Sequence, residues 1–286
     1  MLTPLHAYAI LWSMQIFEQS LLNGPGYVLK NQPLLGLLYG FHLFGAIKAA
    51  RSGATQDIRR AHATSILLYL WRFPYMWDED HWAVRIDVIV LLAILGIEAT
   101  TTKEKAQATV VSITSEIAPY IMALFYAGSA FWKLNVQFFD PAGSCATIYF
   151  VTLLGLFAPE SFLTGTEAGQ TLLWLAANAA PTMTILVEMG IAVLLLAPPK
   201  STLRRGGVFL SMLLHLLISI APEPFNVSEY SIVCLVRMTM LLPDATCQAL
   251  ADWSAAPFAT KLGAIGLSLA SGAINLNPLG SSHAAA

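Results

Sequence analysis

Charge is what this sequence has little of. Only 11% of its 286 residues are Asp, Glu, Lys or Arg, against 56% hydrophobic, whereas a soluble domain carries about a quarter charged residues. So few charges cannot cover a globule in water. A net charge of −2 and the absence of any basic tract leave no electrostatic footprint for nucleic acid. Cysteine is scarce as well. Cys145, Cys234 and Cys247 form neither a CxxC pair nor an even framework, which excludes a disulfide scaffold, and they read as small hydrophobic residues in helices. No HExxH, GxSxG, P-loop or Rossmann fingerprint occurs, so nucleotide chemistry, zinc proteolysis and serine hydrolysis have no support. The start of the chain lacks a basic n-region and a small-residue cleavage site, so residues 5–22 are expected to be a retained first span, although His6, Gln15 and Glu18 make it polar.

What is present is apolar sequence in long runs, at 34–50, 88–97, 172–197 and 206–220. About 20 apolar residues cross the hydrocarbon as a helix, and only helices or closed barrels satisfy their backbone groups there. Barrel strands alternate apolar and polar residues, and these runs do not. The expectation is therefore an all-α, polytopic transmembrane helical bundle of about eight or nine spans, at 5–23, 33–50, 61–77, 83–99, 116–137, 178–197, 206–221, 228–243 and, weakly, 258–276. Residues 1–277 form one membrane domain, and the Gly-, Ser- and Ala-rich stretch 278–286 is expected to be a disordered tail. Neither an internal repeat of the transporter kind nor a separate soluble domain is visible.

The connections differ in charge. Arg51, Arg59 and Arg60 follow the second span, Lys103 and Lys105 the fourth, and Lys200, Arg204 and Arg205 the sixth, while Asp78-Glu79-Asp80 and 223–229 are acidic. The positive-inside rule places the basic loops and the N-terminus in the cytoplasm. That orientation constrains residues 145–160, which are apolar enough to be a span. The loop at 138–144 should be outside and the Lys200 loop inside, so an odd number of crossings separates them. We therefore expect 145–160 to be a re-entrant or interfacial segment on the outer side. Pro181 is expected to start or kink the sixth span, and the small residues Ala176, Ala177, Ala179 and Ala180 suit close packing on a neighbour.

Ionisable residues inside spans are costly, roughly 2.5–3.5 kcal/mol on insertion scales, and face the interior, pair, or snorkel. Lys133, Glu188, His215 and Arg237 are the main cases. Lys133 either snorkels to the interface or is an amine kept neutral by desolvation, able to act as an acid or base. Glu188 is protonated or paired, and Arg237 is a candidate partner for it. His215 is a structural or a proton-handling histidine. His81 sits in a polar outer turn between Trp77 and Trp82, and His42 and His62 lack close acidic neighbours in sequence.

The segment Phe125-Tyr126-Ala127-Gly128 followed by Lys133-Leu134-Asn135 resembles the Y-x-A-G-x-x-K-L-N/D signature of the horizontally transferred transmembrane (HTTM) family, which includes the membrane part of vitamin K-dependent gamma-carboxylase. Glu188 with Leu194-Leu195-Leu196, Arg205-Gly206-Gly207 and Leu214-His215-Leu216 is similar to that family's acidic-leucine helix, basic loop and histidine-bearing helix. Phe225-Asn226-Val227 to Leu242-Pro243 resembles its closing segment, and Asp80-His81 stands where the family tends to have Asn-His. The resemblance covers about residues 60–245.

It implies a reduced, vitamin K-like quinone as cofactor or substrate. Lys133 would be the base that deprotonates it, and His215 and His81 would be further catalytic candidates. Asn135, Glu188, Arg237 and Tyr126 are the candidate substrate or cofactor residues, no metal is expected, and the implied partners are membrane lipid and membrane proteins in a complex. The carboxylase continues into a strand-rich luminal domain with no counterpart in this sequence. The expectation is therefore carboxylase-like lyase or oxygenase chemistry on a quinone or other lipid, not on a secreted protein. The alternative is a non-catalytic accessory membrane subunit. A transporter lined by Glu188, His215 and Arg237 ranks behind both.

Overall fold

A computed structural model describes residues 3–22, 32–72, 78–97, 102–221 and 228–241. The weak ninth span at 258–276, the tail, Cys247 and the two ends of the segment 225–243, residues 225–227 and 242–243, lie outside these residues. Every regular element described is helical: α1 (Pro4–Leu22), α2 (Pro33–Ser52), α3 (Thr55–Arg72), α4 (Asp78–Ile97), α5 (Lys103–Trp132), α6 (Val136–Phe139), α7 (Cys145–Phe157), α8 (Glu160–Gly165), α9 (Glu167–Leu195), α10 (Thr202–Ser219) and α11 (Ser228–Met238), followed by a 3-10 turn, Thr239–Leu241.

The surface is inverted relative to a water-soluble protein. Phe44, Leu124, Trp174 and Phe209 are each more than 60% exposed, whereas Asp87, His62 and Arg237 are buried. An apolar exterior of this extent marks a surface that is covered by something other than water. Three helices, Pro33–Ser52, Lys105–Trp132 and Glu167–Leu195, are long and apolar enough to cross a membrane.

Helices adjacent in the chain pack side by side from α1 to α5, and α9 packs on α5, α7, α8 and α10. The last described helix, α11, returns to lie against α1 and α4. One end of this bundle is tied by hydrogen bonds between loops and helix starts. His6 Nε2 bonds to the Ala50 carbonyl at 2.7 Å, and Gln107 Nε2 donates to the Gly53 carbonyl at 2.6 Å. Lys48 meets Asp57 at 3.2 Å across the same turn. Gly53 ends α2 at φ 57°, and the His6 ring sits 2.5 Å from where a Cβ would be, so both conformation and space require glycine.

Several boundaries differ from the sequence expectation. Lys103 and Lys105 open α5 instead of lying in a loop, and α5 stops at Trp132, short of 137. Asp78 to His81, expected as an outer turn, are the first turn of α4. Pro181 neither starts nor ends a helix. It lies inside α9, which begins at Glu167 because Thr166 Oγ1 caps the Gly169 N–H at 3.0 Å. Apolar run length locates the middle of a helix, while caps decide its ends.

Residues 145–160 split into α7 and α8. The start of α7 packs on the middle of α9, where Ala146 clusters with Ala180 and Thr147 Oγ1 donates to the Ala177 carbonyl at 3.1 Å. The later α8 reaches the beginning of α9, where Gly169 leaves no room for a Cβ against the Phe162 carbonyl. Helix α7 therefore runs antiparallel along the first half of α9.

Close approach also sets the α9–α10 contact. A Cβ on Gly207 would lie 2.8 Å from Leu194 Cβ and 3.1 Å from its backbone. Gly207→Val is expected to push α10 off α9 and cost about 1–3 kcal/mol. A lower Tm of the detergent-solubilised variant checks this, and an unchanged Tm would show that the helices are not so close.

Candidate functional site

Among the described residues, three polar centres inside the bundle involve the candidates named from sequence. The first joins α5 to α9. Lys133 Nζ donates to both carboxylate oxygens of Glu188, at 2.7 and 2.8 Å, and to Ser129 Oγ. Ser129 Oγ in turn donates to Glu188 Oε1 at 3.3 Å. Ser129 and Lys133 share a face because four residues make about one helical turn. The Lys133 side chain keeps 23% of its surface exposed and that of Glu188 11%. Around this opening, Phe131, Trp132, Leu134 and Val136 are all strongly exposed. The site therefore faces an apolar exterior.

Asn135 stands beside this centre and is used by the backbone. Its Nδ2 donates to the Trp132 carbonyl and its Oδ1 accepts the Phe138 N–H, both at 2.9 Å. The asparagine closes α5 and starts α6, so it holds the helix break that presents Lys133.

The second centre lies deeper on the same face of α5. Tyr126 is one turn before Ser129–Ala130 and 2% exposed, and its hydroxyl bonds to His215 Nε2 on α10 at 2.8 Å. His215 Nδ1 is buried without a hydrogen-bond partner. If the tyrosine donates, Nδ1 carries an unused proton; if Nε2–H donates, Nδ1 is an unused acceptor. The Tyr230 ring lies 5.1 Å from the imidazole, and Phe125 and Trp82 complete an aromatic wall.

The third centre was not assembled by sequence reasoning. Arg237 on α11 does not pair with Glu188. Its NH2 meets both Asp87 oxygens on α4, at 3.1 and 3.2 Å, and its NH1 donates to Gln15 Oε1 on α1 at 2.9 Å. Ser65 on α3 donates to Asp87 Oδ2 at 2.8 Å. Nearby His62, against the expectation from sequence, has an acid 3.9 Å away, again Asp87. His62 Nδ1 faces the Ile58 carbonyl at 2.9 Å and so carries the proton, which leaves Nε2 to accept from Tyr8 Oη at 3.1 Å. The imidazole stacks on Trp12 at 4.5 Å. The side chains of Asp87 and Arg237 are fully buried. Asp87 was not among the ionisable residues singled out from the sequence.

The candidates named from sequence thus separate. Lys133 and Glu188 meet, Tyr126 and His215 meet beneath them, and Arg237 belongs elsewhere. Glu188, His215 and Arg237 therefore do not line a single path. His81 is half-buried in the first turn of α4 and makes no hydrogen bond or ion pair with any described residue. An apolar groove of about 290 Å³ between α4 and α5 is lined by Ile89, Ala93, Gly96, Ile113, Ile117 and neighbours, with no polar side chain, and is remote from Lys133 along α5. Among the described residues, no group of three or more His, Cys, Asp or Glu could hold a metal ion.

No family model, no curated protein and no solved structure matches the chain.

Proposed function

We propose that the chain is a multi-pass integral membrane enzyme that moves a proton at a lipid-soluble hydroquinone, using Lys133 with Glu188. The observation that carries this reading is the Lys133–Glu188 contact at 2.7 Å in a half-open site surrounded by exposed apolar side chains. Transfer of one proton across that contact turns an ion pair into a neutral amine and a neutral acid. In a dry environment neutral forms cost less than separated charges. The neutral amine of Lys133 can then accept the proton of a hydroquinone hydroxyl, leaving a phenolate and an ammonium beside Glu188. Ser129, bonded to both partners, holds the amine in line.

This reading includes eight described crossings, in α1 to α5 and α9 to α11, with the N-terminus and the basic loops in the cytoplasm. The ties from His6 to Ala50 and from Gln107 to Gly53 support it, because they bring the starts of α1 and α5 and the end of α2 to one end of the bundle. Arg51, Arg59 and Arg60 lie at that end. The resemblance of residues 125–135 to the carboxylase-type membrane domain supports the choice of a quinone. The test is hydroquinone turnover by wild-type protein and by Lys133→Met in lipid nanodiscs. Equal turnover in both, or none in the wild type, overturns the reading.

A further inference from the structure

The helix break at Lys133 has a second side. Helix α5 ends at Trp132, and after α6 and a tight turn the chain resumes at Ser144 with α7. Ala130, Phe138, Ala146, Ala180 and Ile185 form one small cluster, so the end of α5 and the start of α7 meet the same stretch of α9. From there α7 continues toward the beginning of α9. Helices α5 and α7 together therefore track α9, with a break between Trp132 and Cys145. Glu188 marks the level of the interruption. It lies 16 residues into the apolar run 172–197, about 24 Å from the outer end at 1.5 Å per residue, inside a hydrocarbon layer about 30 Å thick.

A helix that starts within the membrane must satisfy its first N–H groups. No described residue satisfies them here. Ser144 is the N-cap of α7, but its side chain makes no capping hydrogen bond, and its hydroxyl is buried, 1% exposed, without any partner. The N–H groups of Cys145, Ala146 and Thr147 have no backbone acceptor among the described residues. The acid nearest in sequence, Asp140, is exposed, and its Oδ1 accepts the Ala142 N–H at 3.0 Å. The positive end of the α7 dipole and an unpartnered hydroxyl thus lie at the same break between α5 and α7 as Lys133.

We propose that this break is a binding site within the membrane for a carbonyl or phenolate oxygen of a lipid-soluble molecule, held by the Ser144 hydroxyl and the first N–H groups of α7. Resting on the proposed function, that oxygen is one of the two quinone oxygens, and the site orients the ring so that the other reaches Lys133. A discontinuous helix is suited to this, because irregular backbone at membrane depth is tolerated where it lines a cavity.

The experiment compares wild type, Ser144→Ala and Ser144→Thr in nanodiscs. Two probes are used, a short-tailed naphthoquinone and a C18 fatty acid, with binding read by tryptophan quenching. Ser144→Ala should bind the quinone about 3- to 10-fold more weakly, the effect of one hydrogen bond. Its Tm should match the wild type, since the hydroxyl caps nothing. Ser144→Thr, which keeps the hydroxyl, should bind as the wild type does. If the wild type binds quinone and Ser144→Ala binds it equally, the oxygen site falls while the quinone reading stands. If the wild type ignores quinone but holds the fatty acid through Ser144, the oxygen site stands and the quinone reading falls. If neither probe binds, both are overturned.

Location is tested separately through Cys145, exposed at the start of α7, with Cys234 and Cys247 replaced by alanine. A charged maleimide should leave Cys145 unmodified in intact vesicles from either side and modify it after detergent solubilisation. Modification in vesicles would place the start of α7 in water and overturn the proposal.

Discussion

Methionine at position 133 is expected to lower hydroquinone turnover by about 10²–10⁴-fold, the usual contribution of a positioned acid or base. The substitution keeps the length and apolar stem of lysine and removes only the amine. It also leaves Glu188 without its partner, in a site where the glutamate is 9% exposed, and an unpaired buried charge destabilises on its own. The double variant Lys133→Met, Glu188→Gln separates the two effects. It removes both charges, so its Tm should recover toward the wild type while turnover stays lost. Recovery of both stability and turnover would assign the pair a structural role. Tyr126→Phe offers a milder comparison, since it deletes the bond to His215 and leaves the ion pair intact.

Asp87 and Arg237 should give the largest effects on stability. Either Asp87→Leu or Arg237→Met alone leaves the other charge fully buried, at a cost of about 3–5 kcal/mol. The double variant Asp87→Leu, Arg237→Met replaces the pair by apolar side chains and is expected to recover most of that loss. The reason lies in desolvation: the pair stabilises little relative to a well-packed apolar substitute, but each half is costly without the other. The network reaches α1 through Gln15, α3 through Ser65, α4 through Asp87 and α11 through Arg237. Its loss should therefore loosen the first helices and the last one together. Unfolding monitored in mixed micelles gives the measurement. Single variants as stable as the double would show that the pair is not formed. Because this centre is apart from Lys133, the double variant should retain hydroquinone turnover.

Much of the fold was legible because long apolar runs report helices directly. Eight of the nine expected spans overlap described helices, of which three are long and apolar enough to cross a membrane. Two of the boundary differences have physical causes. The sixth span was placed at 178 because the apolar run carries Pro181, yet a proline inside a membrane helix is tolerated when neighbours satisfy the freed carbonyl, and the true start is set by Thr166. The fifth was extended to 137 because hydropathy continues through Val136 and Phe139, although Asn135 ends the helix by bonding backbone on both sides.

The site was legible only in part. Lys133, Tyr126 and Glu188 stood out as polar groups in apolar segments, as did His215 and Arg237. Ser129 and Ser144 did not, because serine is common and inexpensive in membrane helices. Asp87 did not stand out either, because Arg237, its partner, lies 150 residues away in the chain.

The sequence by itself determined that this protein is helical, that its exterior is apolar, and that a few ionisable groups must be paired within it. These follow from composition and run length, which every residue reports locally. Only the tertiary structure decided who pairs with whom: Lys133 with Glu188, 55 residues on, and Arg237 with Asp87 across 150. It also decided that the shortage of charge noted at the start is resolved in two separate centres. Charge has sign but no address in a sequence, and helix packing supplies the address.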